Sequence, residues 1–158
     1  MTTVLAVDLG SASGRVLAGT LHDGRLDVTD IHRFKHEARR REDGTLTWDV
    51  ATMEAETITG LKKALAQFPD ARAVSIDTWG VDWAPLDENG ELVGDVIAYR
   101  DERTSRTLDA FRARIDDREF FDLTGNQPAT INTANQIFAY LQENPADARR
   151  VAAALFLP

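Results

Sequence analysis

The chain contains no cysteine, and that absence removes two architectures at once. Without thiols there is neither a disulfide scaffold nor a thiolate metal site, and the composition suits a reducing compartment, so a cytoplasmic location is expected. Histidine is scarce as well, with three residues in 158. His22, His32 and His36 form no ligand cluster with acids at helical spacing. His32 and His36 flank a strand-like stretch and are expected to face solvent. Basic residues are outnumbered, 18 Lys and Arg against 26 Asp and Glu, for a net charge of -8. A nucleic-acid binder needs a basic surplus to neutralise phosphates, so nucleic acid is not an expected partner. No apolar run approaches the roughly 20 residues that cross a bilayer, so no membrane partner is expected either. The opening MTTVLAVDLG lacks a basic n-region and meets Asp8, and reads as a buried strand rather than a secretory leader.

What is present is the balance of a globular domain, 43% hydrophobic and 28% charged. Val4 to Val7 is a continuous apolar run, as in a strand buried on both faces. Arg15 to Leu21 resumes β character after Gly-Ser-Ala-Ser-Gly, and Asp23-Gly24 signals a hairpin into Leu26 to Phe34. The basic run Arg39-Arg40-Arg41 is diluted by Glu42 and Asp43 and reads as a solvated tip. Asp43-Gly44 then precedes a short strand, Leu46 to Trp48.

Asp49 is placed to cap a helix carrying Met53, Ile58, Leu61, Ala64 and Leu65 on one face and ending near Phe68-Pro69. Ala73 to Ile76 and Trp83 to Leu86 read as strands, with a loop at Asp87 to Gly90 and apolar Leu92, Val93, Val96 and Ile97 beyond it. From Thr104 the spacing of Leu108, Phe111, Ile115 and Phe120-Phe121 is helical. A helix from about Asn132 to Gln142 presents Ile137, Phe138 and Leu141, and Pro145 starts another. Val151 to Phe156 is strongly apolar, and an end on Leu157-Pro158 without a polar tail suggests truncation.

Three segments carry candidate chemistry. In Asp8-Leu9-Gly10-Ser11-Ala12-Ser13-Gly14-Arg15, two glycines permit a tight turn and small residues let backbone N–H groups approach a phosphate. Arg15 offers a charged fork for phosphate oxygens, and Asp8, at a strand end, suits Mg²⁺ directly or through water. The loop is neither G-x-x-x-x-G-K-[ST] nor G-x-G-x-x-G, and a plain hairpin turn is an equal reading of these residues alone. In Ser75 to Trp83, carboxylates and flat indoles suit sugar hydroxyls and sugar faces, while Gly80 lets a ligand approach the backbone. A core tryptophan with capping aspartates is the competing reading. The third segment, Ala98 to Thr104, reads by itself as a solvated helix start with alternating charge.

Together VDLGSASGR (7–15), IHRF (31–34), TWDV (47–50), SIDTWGVDWAPLD (75–87), YRDERT (99–104), TGNQPATINTANQIFAYL (124–141) and ALFLP (154–158) resemble the FGGY family of carbohydrate kinases, in order along nearly the whole chain. IDTWGVDW with YRD-x-RT points to the branch acting on L-rhamnulose. The resemblance implies an α/β fold of the ribonuclease-H-like, actin-like ATPase class, a mixed sheet opening with three antiparallel strands and flanked by helices. The order β-β-β-α-β followed by helices agrees with it and is not the alternation of a doubly wound dinucleotide fold.

The resemblance further implies transfer of the ATP γ-phosphoryl group to the 1-hydroxyl of L-rhamnulose, with Mg²⁺. It places Ser11, Ala12, Ser13, Gly14 and Arg15 against the nucleotide phosphates, Asp8 at the metal, and Gly80, Trp79 and Asp82 at the sugar. Asp101 is a further, weaker sugar candidate. Residues 1–158 would then be the N-terminal part of the first FGGY domain, with the nucleotide-side domain absent. No catalytic base is nominated, since the family's aspartate base lies past Pro158, so the piece alone is expected to be inactive and prone to self-association. The alternatives are a stand-alone actin-like module that binds nucleotide or sugar without catalysis, and a structural domain with vestigial loops.

Overall fold

The computed structural model describes residues 1–158. The chain order is β1 (Thr2–Leu9), β2 (Ser13–His22), β3 (Arg25–Lys35), β4 (Arg39–Arg40), β5 (Leu46–Trp48), α1 (Val50–Gln67) and β6 (Val74–Thr78). It continues with β7 (Trp83–Leu86), β8 (Val96–Ile97), α2 (Arg103–Arg112), α3 (Asp117–Thr124), α4 (Thr133–Glu143), α5 (Pro145–Ala148) and β9 (Ala153–Phe156). Two compact units result, and each is described by itself. The first takes Met1–Ala38, Asp49–Gly80 and Pro158; the second takes Arg39–Trp48 and Val81–Leu157.

In the first unit a four-stranded mixed sheet runs β3-β2-β1-β6. The three opening strands are antiparallel neighbours, as expected, and β6 joins β1 in parallel after the crossover through α1. Asp23 and Gly24 both take positive φ, 48° and 76°, the left-handed pair whose twist suits a two-residue hairpin. The core on the helix side holds Leu5, Val7, Val16, Ala18 and Ala64. Val4 is 41% exposed, so β1 is not buried on both faces. Alternation across the pleat turns Val4 away from the helix while Leu5 and Val7 meet it.

Asp49 caps α1 as expected, its Oδ1 accepting the Thr52 N–H at 2.9 Å. The helix sits in a different rotation, however. Its buried stripe is Met53, Thr57, Gly60 and Ala64, and Ile58 and Leu65 are exposed. Gly60 explains the turn, because a Cβ there would lie 2.4 Å from Val16 Cγ2. Backbone contact at Gly60 brings the helix onto β2, and the larger apolar side chains are displaced to the flanks.

In the second unit β4-β5-β8 form one small sheet and β7-β9 another, both antiparallel. Val151 to Phe156 therefore supplies a strand, with Leu155 and Phe156 each 55% exposed. Helix α4 also departs from expectation. Its buried residues are Asn135, Gln136, Ala139 and Tyr140, while Leu141 is exposed, because the polar side chains have backbone partners to satisfy inside.

Candidate functional site

In the first unit β1 and β6 run side by side and end together, with Asp8 in register beside Asp77. The carboxyl ends of parallel strands are where open α/β sheets bind ligands. On the other flank of β1, Arg15 stands opposite Asp8, and Arg33 opposite Arg15. The row across the strands thus reads Arg33, Arg15, Asp8, Asp77. The Arg15 guanidinium meets Asp8 Oδ2 through both Nε and Nη2, each at 2.6 Å. Both side chains are about two-fifths exposed, so the pair contributes roughly 0–1 kcal/mol to folding and leaves both groups reachable.

The loop between β1 and β2 is closed by Gly10 N–H donating to the Ser13 carbonyl at 2.9 Å. Ala12 and Ser13 are exposed at its tip and Ser11 is half-buried. Gly14 is covered by Phe34, whose ring would lie 2.2 Å from any Cβ there, so a larger residue would have to push the ring aside. Ser11 and Ala12 in the turn and Ser13 to Arg15 at the start of β2 therefore lie together beside Asp8.

His36 lies against this loop, and it does not face solvent. It is 8% exposed, its backbone N–H donates to the Ala12 carbonyl at 3.3 Å, and its ring stacks on Trp79 with centroids 5.6 Å apart at 23°. Burial pushes its imidazole below the ordinary value, the Gly10 carbonyl pulling weakly the other way. His32 is also turned inward, its Nε2 2.7 Å from Glu56 Oε2 and its Nδ1 3.0 Å from Lys63 Nζ of α1. Strand β3 packs under α1 and the loop, so its alternate side chains are covered. Gly80 is exposed, and a Cβ at that position would meet nothing within 4 Å.

In the second unit Asp82 is fully buried, and its Oδ2 accepts the Trp48 indole N–H at 2.6 Å. In this structure Asp82 holds the Trp48 indole from within the interior. Asp101 is spent in the same way, accepting backbone N–H groups of Leu46 and Arg103, both at 2.9 Å.

Arg103 is buried, donating to the Ala98 carbonyl at 3.0 Å and to Gln136 Oε1 at 2.8 Å. Burial lowers its pKa, with Asp101 and then Asp82 pulling it back up. Gln136 Nε2 in turn donates to the Val81 carbonyl at 3.0 Å, joined there by Thr133 Oγ1 at 2.8 Å. Val81 has φ 71°, a left-handed conformation that costs a β-branched residue about 1–3 kcal/mol. The two donors clamp it.

Sequence reasoning missed Asp77 as the neighbour of Asp8, His36 as the partner of Trp79, and the Arg103–Gln136–Val81 chain. The signal for the first was available, since both aspartates close apolar strand runs. No signal announced the other two.

Residues 3–158 match the FGGY family of carbohydrate kinases, N-terminal domain. A rhamnulokinase of Mannheimia succiniciproducens is 37% identical over 98% of this chain and 32% of its own length. Among solved structures, xylulose kinase from Rhodospirillum rubrum superposes with a TM-score of 0.81 at 18% identity, covering 96% of this chain and 31% of that one. Plasmodium falciparum glycerol kinase with ADP also superposes with a TM-score of 0.81, at 17% identity over 100% of this chain and 32% of that one. These likenesses bear out the ribonuclease-H-like, actin-like fold. The chain spans about a third of the length of the curated relatives it matches. With a family match over nearly every residue, this chain belongs to the FGGY family of carbohydrate kinases.

Proposed function

We propose that this chain is the sugar- and phosphate-positioning part of an ATP-dependent kinase that phosphorylates the 1-hydroxyl of L-rhamnulose, and that it is inactive alone. The observation that carries the reading is the end of the first unit's sheet. There the loop Ser11 to Arg15 and the row Arg15, Asp8, Asp77 share one edge with Trp79 and Gly80, which follow β6. The rhamnulokinase likeness supports the choice of sugar.

Mg²⁺ fits the donors present. No group of three or more His, Cys, Asp or Glu residues is placed to hold an ion. Mg²⁺ does not need one, because it keeps most of its waters and takes one or two carboxylates together with substrate phosphates. Asp8 would hold it, with Asp77 adjacent in the row. Bound there, the ion would neutralise charge between the nucleotide phosphates. Arg15 balances Asp8 and presents its remaining N–H groups to phosphate oxygens. Gly80 admits the sugar to the backbone, and Trp79 packs on its apolar face. No residue of this chain is assigned the base, and the partners are the sugar and ATP in a cytoplasmic setting. No helix is long and apolar enough to cross a membrane.

The test is ATP consumption by the full-length protein carrying this sequence, with L-rhamnulose against other ketoses. Turnover with L-rhamnulose is expected, and turnover only with another ketose would replace the sugar while keeping the kinase. Gly80→Trp should abolish sugar-dependent turnover while leaving the fold intact; unchanged turnover removes Gly80 from the site.

A further inference from the structure

We infer that His36 is a positioning residue that ties the phosphate loop to Trp79, its backbone holding the loop and its ring holding the indole. The inference rests on the kinase reading for what the loop and Trp79 bind, but its geometry stands independently. Three contacts made by one residue define it. The His36 backbone N–H holds the Ala12 carbonyl at the tip of the loop. Its ring lies almost parallel to the Trp79 indole, 5.6 Å away at 23°. Its other neighbour is Phe34, at 5.9 Å and 41°, the ring that covers Gly14 at the loop's end.

A plain core position at residue 36 would be filled best by an apolar side chain, since burying an imidazole costs solvation. An aliphatic residue would lose the flat partner that sets the plane of the indole. Offset-stacked aromatic pairs favour one relative orientation of the rings beyond simple area burial. Trp79 is half-buried after the end of β6 and precedes the open Gly80, so its ring plane depends on what lies against it. The residue thus supports both sides: the stack orients the sugar-side indole, and the backbone bond to Ala12, with Phe34 beside the ring and over Gly14, holds the phosphate-side loop.

The two supports are separable by substitution. In the full-length protein with L-rhamnulose and MgATP, His36→Ala should raise KM for the sugar about three- to tenfold, with kcat and the MgATP KM each changed by less than about twofold, because the backbone bond to Ala12 is kept. His36→Phe keeps a flat ring for the indole. It should return the sugar KM to within about twofold of wild type. An unchanged sugar KM in His36→Ala, or a lower kcat with that KM intact, would overturn the inference. So would a His36→Phe enzyme as impaired toward the sugar as His36→Ala.

Failure of the wild-type protein to turn over any ketose would sink the kinase reading by itself. The geometry is then decided by acrylamide quenching of tryptophan emission, with Trp79→Phe identifying that residue's share. His36→Ala should make the Trp79 component more accessible and His36→Phe should not. Equal quenching in wild type and His36→Ala would end the proposal.

Discussion

Where the first unit fills its interior with Leu5, Val7, Val16, Ala18 and Ala64, the second buries Asp82, Asp101, Arg103 and Gln136 beside Trp48, Trp83 and Tyr140. The first leaves Asp8 and Arg15 partly exposed at the open end of its sheet. The second takes charge inside, with Asp82, Asp101 and Arg103 each hydrogen-bonded to at least one neighbour. Charge therefore has opposite meanings at these places in the two units. Asp8 stays reachable from solvent, and Asp82 and Asp101 are hydrogen-bonded within the interior.

That contrast is tested most severely at Arg103. Arg103→Met removes a buried cation and leaves Asp101 and Asp82 inside without it, which should cost about 3–5 kcal/mol in urea unfolding. A loss under about 1 kcal/mol would mean that the second unit's charges are not structural. Next comes Gly60→Ala in the first unit. Alanine would gain about 1 kcal/mol of helix propensity, but its methyl would sit 2.4 Å from Val16 Cγ2. Overpacking costs about 1–3 kcal/mol, so net destabilisation is expected by thermal melting.

A smaller effect should appear with pH. His36 has its pKa lowered by burial from 6.5, so below that pH the unfolded chain takes up a proton that the folded chain resists. Stability should be full above about pH 6.5 and fall as the pH drops toward the folded-state value. His36→Phe should flatten that part of the profile. Asp8→Asn should move stability by less than about 1 kcal/mol, because it breaks an exposed pair. In the full-length protein it should nonetheless lose most Mg²⁺-dependent turnover, which sharpens the contrast with Arg103. Smallest in energy is Ile76→Lys on β6, where Val74 and Ile76 are 53% and 57% exposed on a strand at the sheet's end. A lysine there should weaken self-association in sedimentation velocity, as charge on an edge strand does.

The parts of the molecule governed by local chemistry were readable from the sequence. Asp49 announced its cap, Asp23-Gly24 its hairpin, and the small residues from Gly10 to Gly14 their turn, because each depends on neighbours a few positions away. What escaped was set by approach between distant segments. The rotation of α1 follows from a missing side chain at Gly60, which a count of apolar residues does not register. Asp77 became the neighbour of Asp8 only through the parallel register of β1 and β6. That Asp82 accepts the indole N–H of Trp48, 34 residues back, was invisible locally.

The open space above Gly80 has a consequence of its own. Its φ lies outside the left-handed range, and no atom stands within reach of an added Cβ. Neither backbone nor packing reserves that position for glycine, so the fold would accept almost any side chain there. Under the proposed function, the choice of residue 80 answers to the sugar alone, and variation there can redraw the range of accepted substrates without first having to rescue the protein's folding.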